Sequence, residues 1–273
     1  MKKIDIYKNF KIEEAHYDKK EIACSITFKC LLIVISVFGL IMDFSAFNSF
    51  LVGLTYFGTF ISFMCLIIVS LFMVLDVIRF CTKKDFRIRL LYIIKFIFTV
   101  SSAFSMIFIC ALVAPTVFTT FGAENFSLFG NIFSYILCPL LLIFDFIEFD
   151  YNFNSKFLTS LYGVIPFSAH YLTILFISLF SDFKWKSYAS GVAYLKMPYS
   201  VIDYSLSENS WWSDQKAVFS IEKGTVGINQ IFLLVLFLIA IVGIGTLLLY
   251  LKNRRFIKIY NIKKIDEDLD KEN

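Results

Sequence analysis

The amino-acid sequence predicts an all-α fold, a polytopic membrane helical bundle of six transmembrane helices with both termini in the cytoplasm. Composition is the first indication, because 58% of the 273 residues are hydrophobic and 18% are charged, against roughly 45–50% and about 25% in soluble domains. The mean hydropathy is +0.74. The second indication is that apolar residues form long uncharged runs between short charged stretches, which is typical of multi-pass proteins. The third is the distribution of Lys and Arg.

The six helices follow from the length of the apolar runs. A helix that crosses the hydrocarbon core needs about 20 mostly apolar residues. The windows that meet this requirement are 26–47, 51–75, 90–118, 126–147, 157–180 and 228–251. The N-terminal segment is polar and lacks the early apolar region of a signal peptide, so the first window is a retained span. The predicted organisation is a cytoplasmic segment 1–25, a membrane domain 26–251 with a long loop 181–227, and a charged tail 252–273.

Lys and Arg predict the orientation of these spans. Of the 26 basic residues, 19 lie in the N-terminal segment, the second and fourth connections and the C-terminal tail, and five lie in loop 181–227. Cytoplasmic loops carry the excess of Lys and Arg, so the loop is expected outside a cell (cytoplasmic) membrane. The loop holds all three tryptophans, and indole rings prefer the headgroup level. We therefore expect it to lie on the outer membrane surface; the alternative is a lid over an outward-facing cavity.

Charged residues cluster at one depth of the predicted bundle. Asp145 and Glu148 are three residues apart and share one helix face near the cytoplasmic end of the fourth span. Lys95 lies at a similar depth in the third span, and we predict that it pairs with Asp145 or Glu148. The same depth also holds Lys29, Asp76 and Arg79. One interpretation is a collar of paired charges that fixes helix packing; the other is an ion or proton pathway.

Polar residues recur in the opposite half of the predicted membrane domain. Thr59 and Tyr135 lie at comparable depths in the second and fourth spans, and Pro139 frees a backbone carbonyl just below Tyr135. His170 lies near the middle of the fifth span, where a neutral, hydrogen-bonded imidazole is expected and a ligand or catalytic role is the alternative.

Three short motifs resemble one protein family. The fourth predicted span contains "CPLLLIFDFIEFD", with Pro139, Asp145 and Asp150; loop 181–227 contains "MPYSVID"; and the second span contains "TFISF", which begins at Thr59. These resemble the Pr6Pr-type six-helix bacterial membrane proteins, which are distantly similar to the androgen-induced protein family of intramembrane threonine hydrolases. The resemblance implies Thr59 as a nucleophile, with Tyr135 where the bacterial pattern has His.

Two functions are consistent with these patterns. The first is a membrane protein that binds or translocates a small amphiphile or ion; the second is a lipid-ester hydrolase that uses Thr59. The candidate catalytic residues are Thr59, Tyr135 and His170, and the candidate binding residues are Lys95, Asp145, Glu148 and Asp203. No metal or nucleotide cofactor is expected, because the chain has two histidines, scattered cysteines and no glycine-rich phosphate loop. The expected partner is the lipid bilayer, with no nucleic acid.

The predicted topology can be tested by cysteine accessibility in intact cells. Single cysteines in loop 181–227 should react with a membrane-impermeant maleimide, whereas cysteines in either terminus should react only after permeabilisation. External labelling of the C-terminal tail would contradict the predicted orientation.

Overall fold

A computed structural model describes residues 19–47, 50–113, 132–150, 156–186, 194–199, 202–203, 217–221 and 224–272. Its helices are α1 (Lys19–Phe47), α2 (Phe50–Leu54), α3 (Phe57–Thr82), α4 (Arg89–Phe108), α5 (Cys138–Phe149), α6 (Val164–Phe180) and α7 (Ile228–Glu272). A π-helical turn, Ile109–Val113, extends α4, and another, Phe133–Leu137, precedes α5. The 3-10 helix Phe157–Gly163 leads into α6.

Five helices in the described part of the chain are long and apolar enough to cross a membrane: Lys19–Ser45, Phe57–Thr82, Arg89–Ala111, Phe157–Phe180 and Ile228–Lys258. They correspond to the first, second, third, fifth and sixth predicted spans. The fourth predicted span begins outside the described residues, and its described part is the second π-helical turn with α5. The protein is therefore a multi-pass helical membrane protein, whereas the count of six spans and the location of the termini stay predictions.

The outer faces of the helices present large apolar side chains. Val34 on α1, Leu172 on α6 and Phe232 on α7 are each more than 60% exposed. A soluble protein would bury such residues, whereas lipid tails accept them at no cost in hydrophobic free energy. The exposed apolar faces therefore mark contact with the bilayer.

The predicted second span is interrupted near its start. Helix α2 ends at Leu54, and a turn in which Thr55 N–H donates to the Val52 carbonyl at 3.1 Å separates it from α3. Helix α3 then continues to Thr82, seven residues beyond the predicted end at 75. Lys83 ends α3 in the left-handed region, with φ 59°, and donates its N–H to the Arg79 carbonyl. The predicted limits of this span were wrong at both ends because local turns, not hydropathy, end the helices.

Helix α4 lies at the centre of the described helices and packs against α3, α5, α6 and α7. Its inward face combines aromatic residues with small polar ones, including Thr99, Ser101 and Ser102, all buried. Small residues also bring the 3-10 helix close: a Cβ atom at Gly163 would lie 2.8 Å from Val100 Cγ1. Such contacts are a common way to pack helices in membranes, where close backbone approach replaces the hydrophobic driving force.

Two short antiparallel strand pairs occur in loop 181–227, and described residues of this loop pack against the helices. Strands β1 (Trp185–Lys186) and β2 (Tyr194–Leu195) pair, as do β3 (Ala217–Ile221) and β4 (Gly224–Gly227). Trp185 is 1% exposed, and its indole N–H donates to Thr55 Oγ1 at 2.8 Å. Trp185 is thus covered by the protein, with its indole satisfied by the partly buried Thr55 hydroxyl, and the position of the loop at the membrane surface stays a prediction. Trp211 and Trp212 lie outside the described residues.

Candidate functional site

Six buried ionisable residues form a charge cluster at the end of the bundle where α1 and α4 begin and α3 and α5 end. Its members alternate in sign along a chain of contacts: Arg87, Asp76, Lys29, Asp145, Lys95 and Asp150. None of the six is more than 4% exposed. Because each acid lies between or beside basic residues, the cluster is electrically balanced.

The centre of the charge cluster joins four helices. Lys29 Nζ of α1 lies 2.9 Å from Asp76 Oδ2 of α3 and 3.0 Å from Asp145 Oδ1 of α5. Lys95 of α4 forms ion pairs with Asp145 and with Asp150, the residue that follows α5. Ser25, one turn before Lys29, donates a hydrogen bond to the same Asp76 Oδ2 at 2.8 Å. The predicted pairing of Lys95 with Asp145 is confirmed.

The connection between α3 and α4 closes one end of the charge cluster. Arg87 Nη1 lies 3.3 Å from Asp76 Oδ1, and its Nη2 lies 2.6 Å from Asp85 Oδ2. Burial opposes ionisation of Asp85, but the hydrogen bonds and positive charge of Arg87, with a smaller contribution from Arg79, outweigh it and hold the pKa of Asp85 below its ordinary value. This connection is therefore fixed by charge-assisted hydrogen bonds.

Glu148 lies outside the charge cluster. Its Oε2 is 2.7 Å from Arg255 Nη2 of α7, and both side chains are about one-third exposed, at 29% and 37%. A further basic residue, Lys252, is buried on the same helix, with its Nζ 5.5 Å from the centre of the Phe146 ring. Lys252 counted only toward the orientation in the sequence analysis, because its position at the end of an apolar run gives no sign that it turns inward.

A second group of polar residues, the hydroxyl site, lies at the opposite end of the bundle. It consists of Asp43, Thr59, Ser134 and Tyr135, each at most 4% exposed. The hydroxyls of Thr59 and Tyr135 lie 2.8 Å apart, and Thr59 Oγ1 donates to Asp43 Oδ2 at 3.4 Å. Two of the three predicted catalytic residues, Thr59 and Tyr135, are therefore in contact.

Close packing at a glycine places Tyr135 in the hydroxyl site. A Cβ atom at Gly58 would lie 2.2 Å from Tyr135 Cε1, so only glycine allows the ring to lie against the first turn of α3. The π-helical turn Phe133–Leu137 supplies both Ser134 and Tyr135, and such turns occur frequently at functional sites. Ser62 Oγ, one turn after Gly58, donates to the Ser134 carbonyl at 3.2 Å.

Asp43 is the member of the hydroxyl site that the sequence analysis missed. It lies in "GLIMDFSAF", an uncharged run near the end of the first predicted span. A single carboxylate inside an apolar run was the available signal, since ionisable residues within spans are rare and mark functional positions. Its relation to Thr59, 16 residues away on the next long helix, depends on the turn at α2.

His170 lies away from Thr59, in the wall of an aromatic pocket. Its Nε2 is 3.3 Å from the carbonyl oxygen of Leu54, a contact in which Nε2 must carry the proton. Its ring packs against Phe57 and Phe60, with centroid distances of 5.4 and 5.1 Å. The partners of Thr59 among the described residues are Asp43 and Tyr135.

The aromatic pocket lies between α3, α4, α6 and a covering segment that is described at residues 196–199 and 202–203. The pocket and the open space at its mouth together measure about 340 Å³. The lining residues are mostly aromatic and include Phe57, Phe104, Phe108, Phe167, His170, Met197 and Tyr199. Met197 and Tyr199 are buried. The covering segment therefore closes one side of the pocket, whereas a lid over an outward-facing cavity stays a prediction.

Asp203 fastens this covering segment. Its Oδ2 accepts a hydrogen bond from the Lys196 N–H at 3.0 Å, and its carbonyl oxygen accepts one from the Gln230 side chain of α7. Asp203 is fully buried, and it lies next to Ile202, which also lines the pocket. Asp203, a predicted binding residue, therefore holds the covering segment in place.

No protein-family model, curated protein or solved structure matches the chain. Within the described residues, no group of three or more His, Cys, Asp or Glu side chains has an arrangement suited to a metal ion.

The ion pairs can be tested by comparing a buried and an exposed cation. Removing one partner of a buried pair costs about 3–5 kcal/mol, whereas an exposed pair is worth about 0–1 kcal/mol. We expect Lys95→Met to lower the melting temperature in detergent far more than Arg255→Met, which removes only the exposed partner of Glu148. Equal effects of the two substitutions would mean that water reaches the charge cluster.

Proposed function

We propose that this multi-pass membrane protein binds a small amphiphile in the aromatic pocket beneath the covering segment, residues 196–199 and 202–203. The observation that carries this proposal is the pocket itself, an apolar space between helices with a few polar groups at its wall. Pockets of this kind typically bind small molecules, with aromatic side chains supplying contact area and polar groups fixing the orientation. An apolar body would lie among Phe104, Phe108 and Phe167, and a polar head would face His170.

The charge cluster supports this function indirectly. Lys95 and Asp145 are engaged with each other and with further cluster members, so we assign them to helix packing and not to ligand contact. Glu148 takes the same role at the exposed rim. Asp203 acts by positioning the segment that covers the ligand. A rigid bundle below and a fastened lid above would preorganise the pocket, which lowers the entropic cost of binding.

A photoreactive fatty acid can test ligand binding. A lauric acid analogue carrying a diazirine should label residues of the pocket, as mapped by mass spectrometry of the purified protein. Ile174 of α6 is buried and lines the pocket. Ile174→Trp should reduce this labelling about tenfold, because overpacking a filled space costs about 1–3 kcal/mol. Phe176→Trp is the matched control on the same helix, since Phe176 is 63% exposed on the outer face.

The two tryptophan variants must first show melting temperatures close to that of the wild type. Labelling that is unaffected by Ile174→Trp, or that maps only to lipid-facing residues, would overturn the proposed binding pocket.

A lipid-ester hydrolase is the second candidate, and the contact between Thr59 and Asp43 favours it. A threonine hydroxyl becomes a useful nucleophile only beside a base, and Asp43 Oδ2 is 3.4 Å from Thr59 Oγ1. The resemblance to the Pr6Pr-type proteins, and through them to threonine hydrolases, also assigns Thr59 this role. Against it, Thr59 is fully buried and does not line the aromatic pocket.

Labelling with a fluorophosphonate separates the two candidates. For a binding protein we expect the same low labelling in the wild type and in Thr59→Ala. Labelling that disappears in Thr59→Ala and persists in Thr59→Ser would establish the hydrolase.

A further inference from the structure

Asp43 has no cationic partner among the described residues, unlike the acids in and beside the charge cluster. Asp76, Asp85, Asp145 and Asp150 each form an ion pair with Lys or Arg. Asp43 is 4% exposed, and the ion pairs among the described residues do not include it. Its carboxyl group is therefore buried without a compensating charge.

The groups around Asp43 are hydroxyls from two neighbouring elements. Thr59 approaches from α3, while Ser134 and Tyr135 approach from the π-helical turn before α5. Tyr199 is near enough to Asp43 to interact electrostatically, and its ring packs against that of Tyr56. Serine and threonine hydroxyls are uncharged at all ordinary pH values, and tyrosine titrates near 10. The neighbours of Asp43 that the structure describes thus carry no positive charge at neutral pH.

Ser134 provides a second indication of a bound proton. Its Oγ is 1% exposed and lies near the Asp43 carboxyl, yet no hydrogen-bond partner of good geometry is found for it among the described residues. A hydroxyl can either donate or accept. A protonated Asp43 would need an acceptor for its O–H, and Ser134 Oγ or the Tyr135 hydroxyl can supply one.

Burial without a cationic partner favours the neutral form of the Asp43 carboxyl group. An isolated carboxylate in a low-dielectric interior is far less stable than in water, and such groups are neutralised in practice. We propose that Asp43 is a proton-binding site inside the membrane domain, with Thr59, Ser134 and Tyr135 as its hydrogen-bonding shell. Uptake adds one H⁺ to a carboxylate oxygen and forms one O–H bond; release returns H⁺ to water, and no electrons are transferred.

The position of Asp43 allows this proton to exchange. It lies one helical turn before Phe47, where α1 ends, so the path to the end of the helix is short. The first turn of α3 then connects the site to the aromatic pocket, because Phe57 lines the pocket, Gly58 contacts Tyr135 and Thr59 contacts Asp43. The proton site itself does not depend on what occupies that pocket.

Infrared difference spectroscopy of the purified full-length protein tests this site. We expect a carboxylic-acid C=O band near neutral pH that shifts in D₂O and is absent in Asp43→Asn. Asp182→Asn, which changes an exposed acid after α6, should keep the band. Thr59→Val should shift its frequency, because the substitution removes a hydrogen bond to the carboxyl group. An unchanged band in Asp43→Asn would overturn the proposal.

The melting temperature provides a second readout that does not depend on the infrared assignment. Asparagine has nearly the shape of a protonated aspartic acid, so Asp43→Asn should change the melting temperature by less than about 4 °C. A large loss of stability would mean that the charged carboxylate is needed. If sodium chloride, but not choline chloride, raises the wild-type melting temperature and the acid band is missing, the occupant is Na⁺ and the proton site is refuted.

Discussion

Charged groups buried away from water must satisfy one another, and the described helices depend on this constraint. Lys29 contacts acids on two other helices, and Lys95 connects one of these acids to the end of α5. Removing any member would leave a neighbouring charge uncompensated, which is more costly than losing the contact itself. The cluster therefore fixes how α1, α3, α4 and α5 pack at this end, where hydrophobic burial gives little preference between arrangements because lipid is equally apolar.

At the opposite end of the bundle, Asp43 meets the same constraint through hydroxyl groups, with no cation among its described neighbours. Here Asp43 is surrounded by Thr59, Ser134 and Tyr135, and Gly58 brings the tyrosine ring close enough to participate. A hydroxyl can donate a hydrogen bond to a carboxylate or accept one from a protonated carboxyl group. In the charge cluster, by contrast, each ion pair requires that both of its partners stay charged. One end is suited to holding helices together, and the other to a group that changes its charge.

The aromatic pocket lies next to this adaptable end and shares the first turn of α3 with it. The segment above the pocket is fastened by Asp203 and Gln230, while Trp185 bonds to Thr55 in the turn before α3. The cover, the pocket and the hydroxyl site thus all contact the short region from Thr55 to Thr59. A movement of residues 55–59 would therefore change the contacts of the covering segment, the pocket and the hydroxyl site.

The sequence by itself determined the membrane class, most of the spans and the depth of their polar residues. Lys95 and Asp145 could be paired because a helix rises a fixed distance per residue, and the same reasoning placed Thr59 level with Tyr135. Depth does not specify which way a side chain faces, so Lys252, Arg87 and Asp43 were not assigned to the interior. The tertiary structure decided their positions. The turn after α2, the π-helical turn before α5 and the close approach at Gly58 determine which helix faces meet. Hydropathy cannot predict this, because it does not depend on how a helix is rotated about its axis.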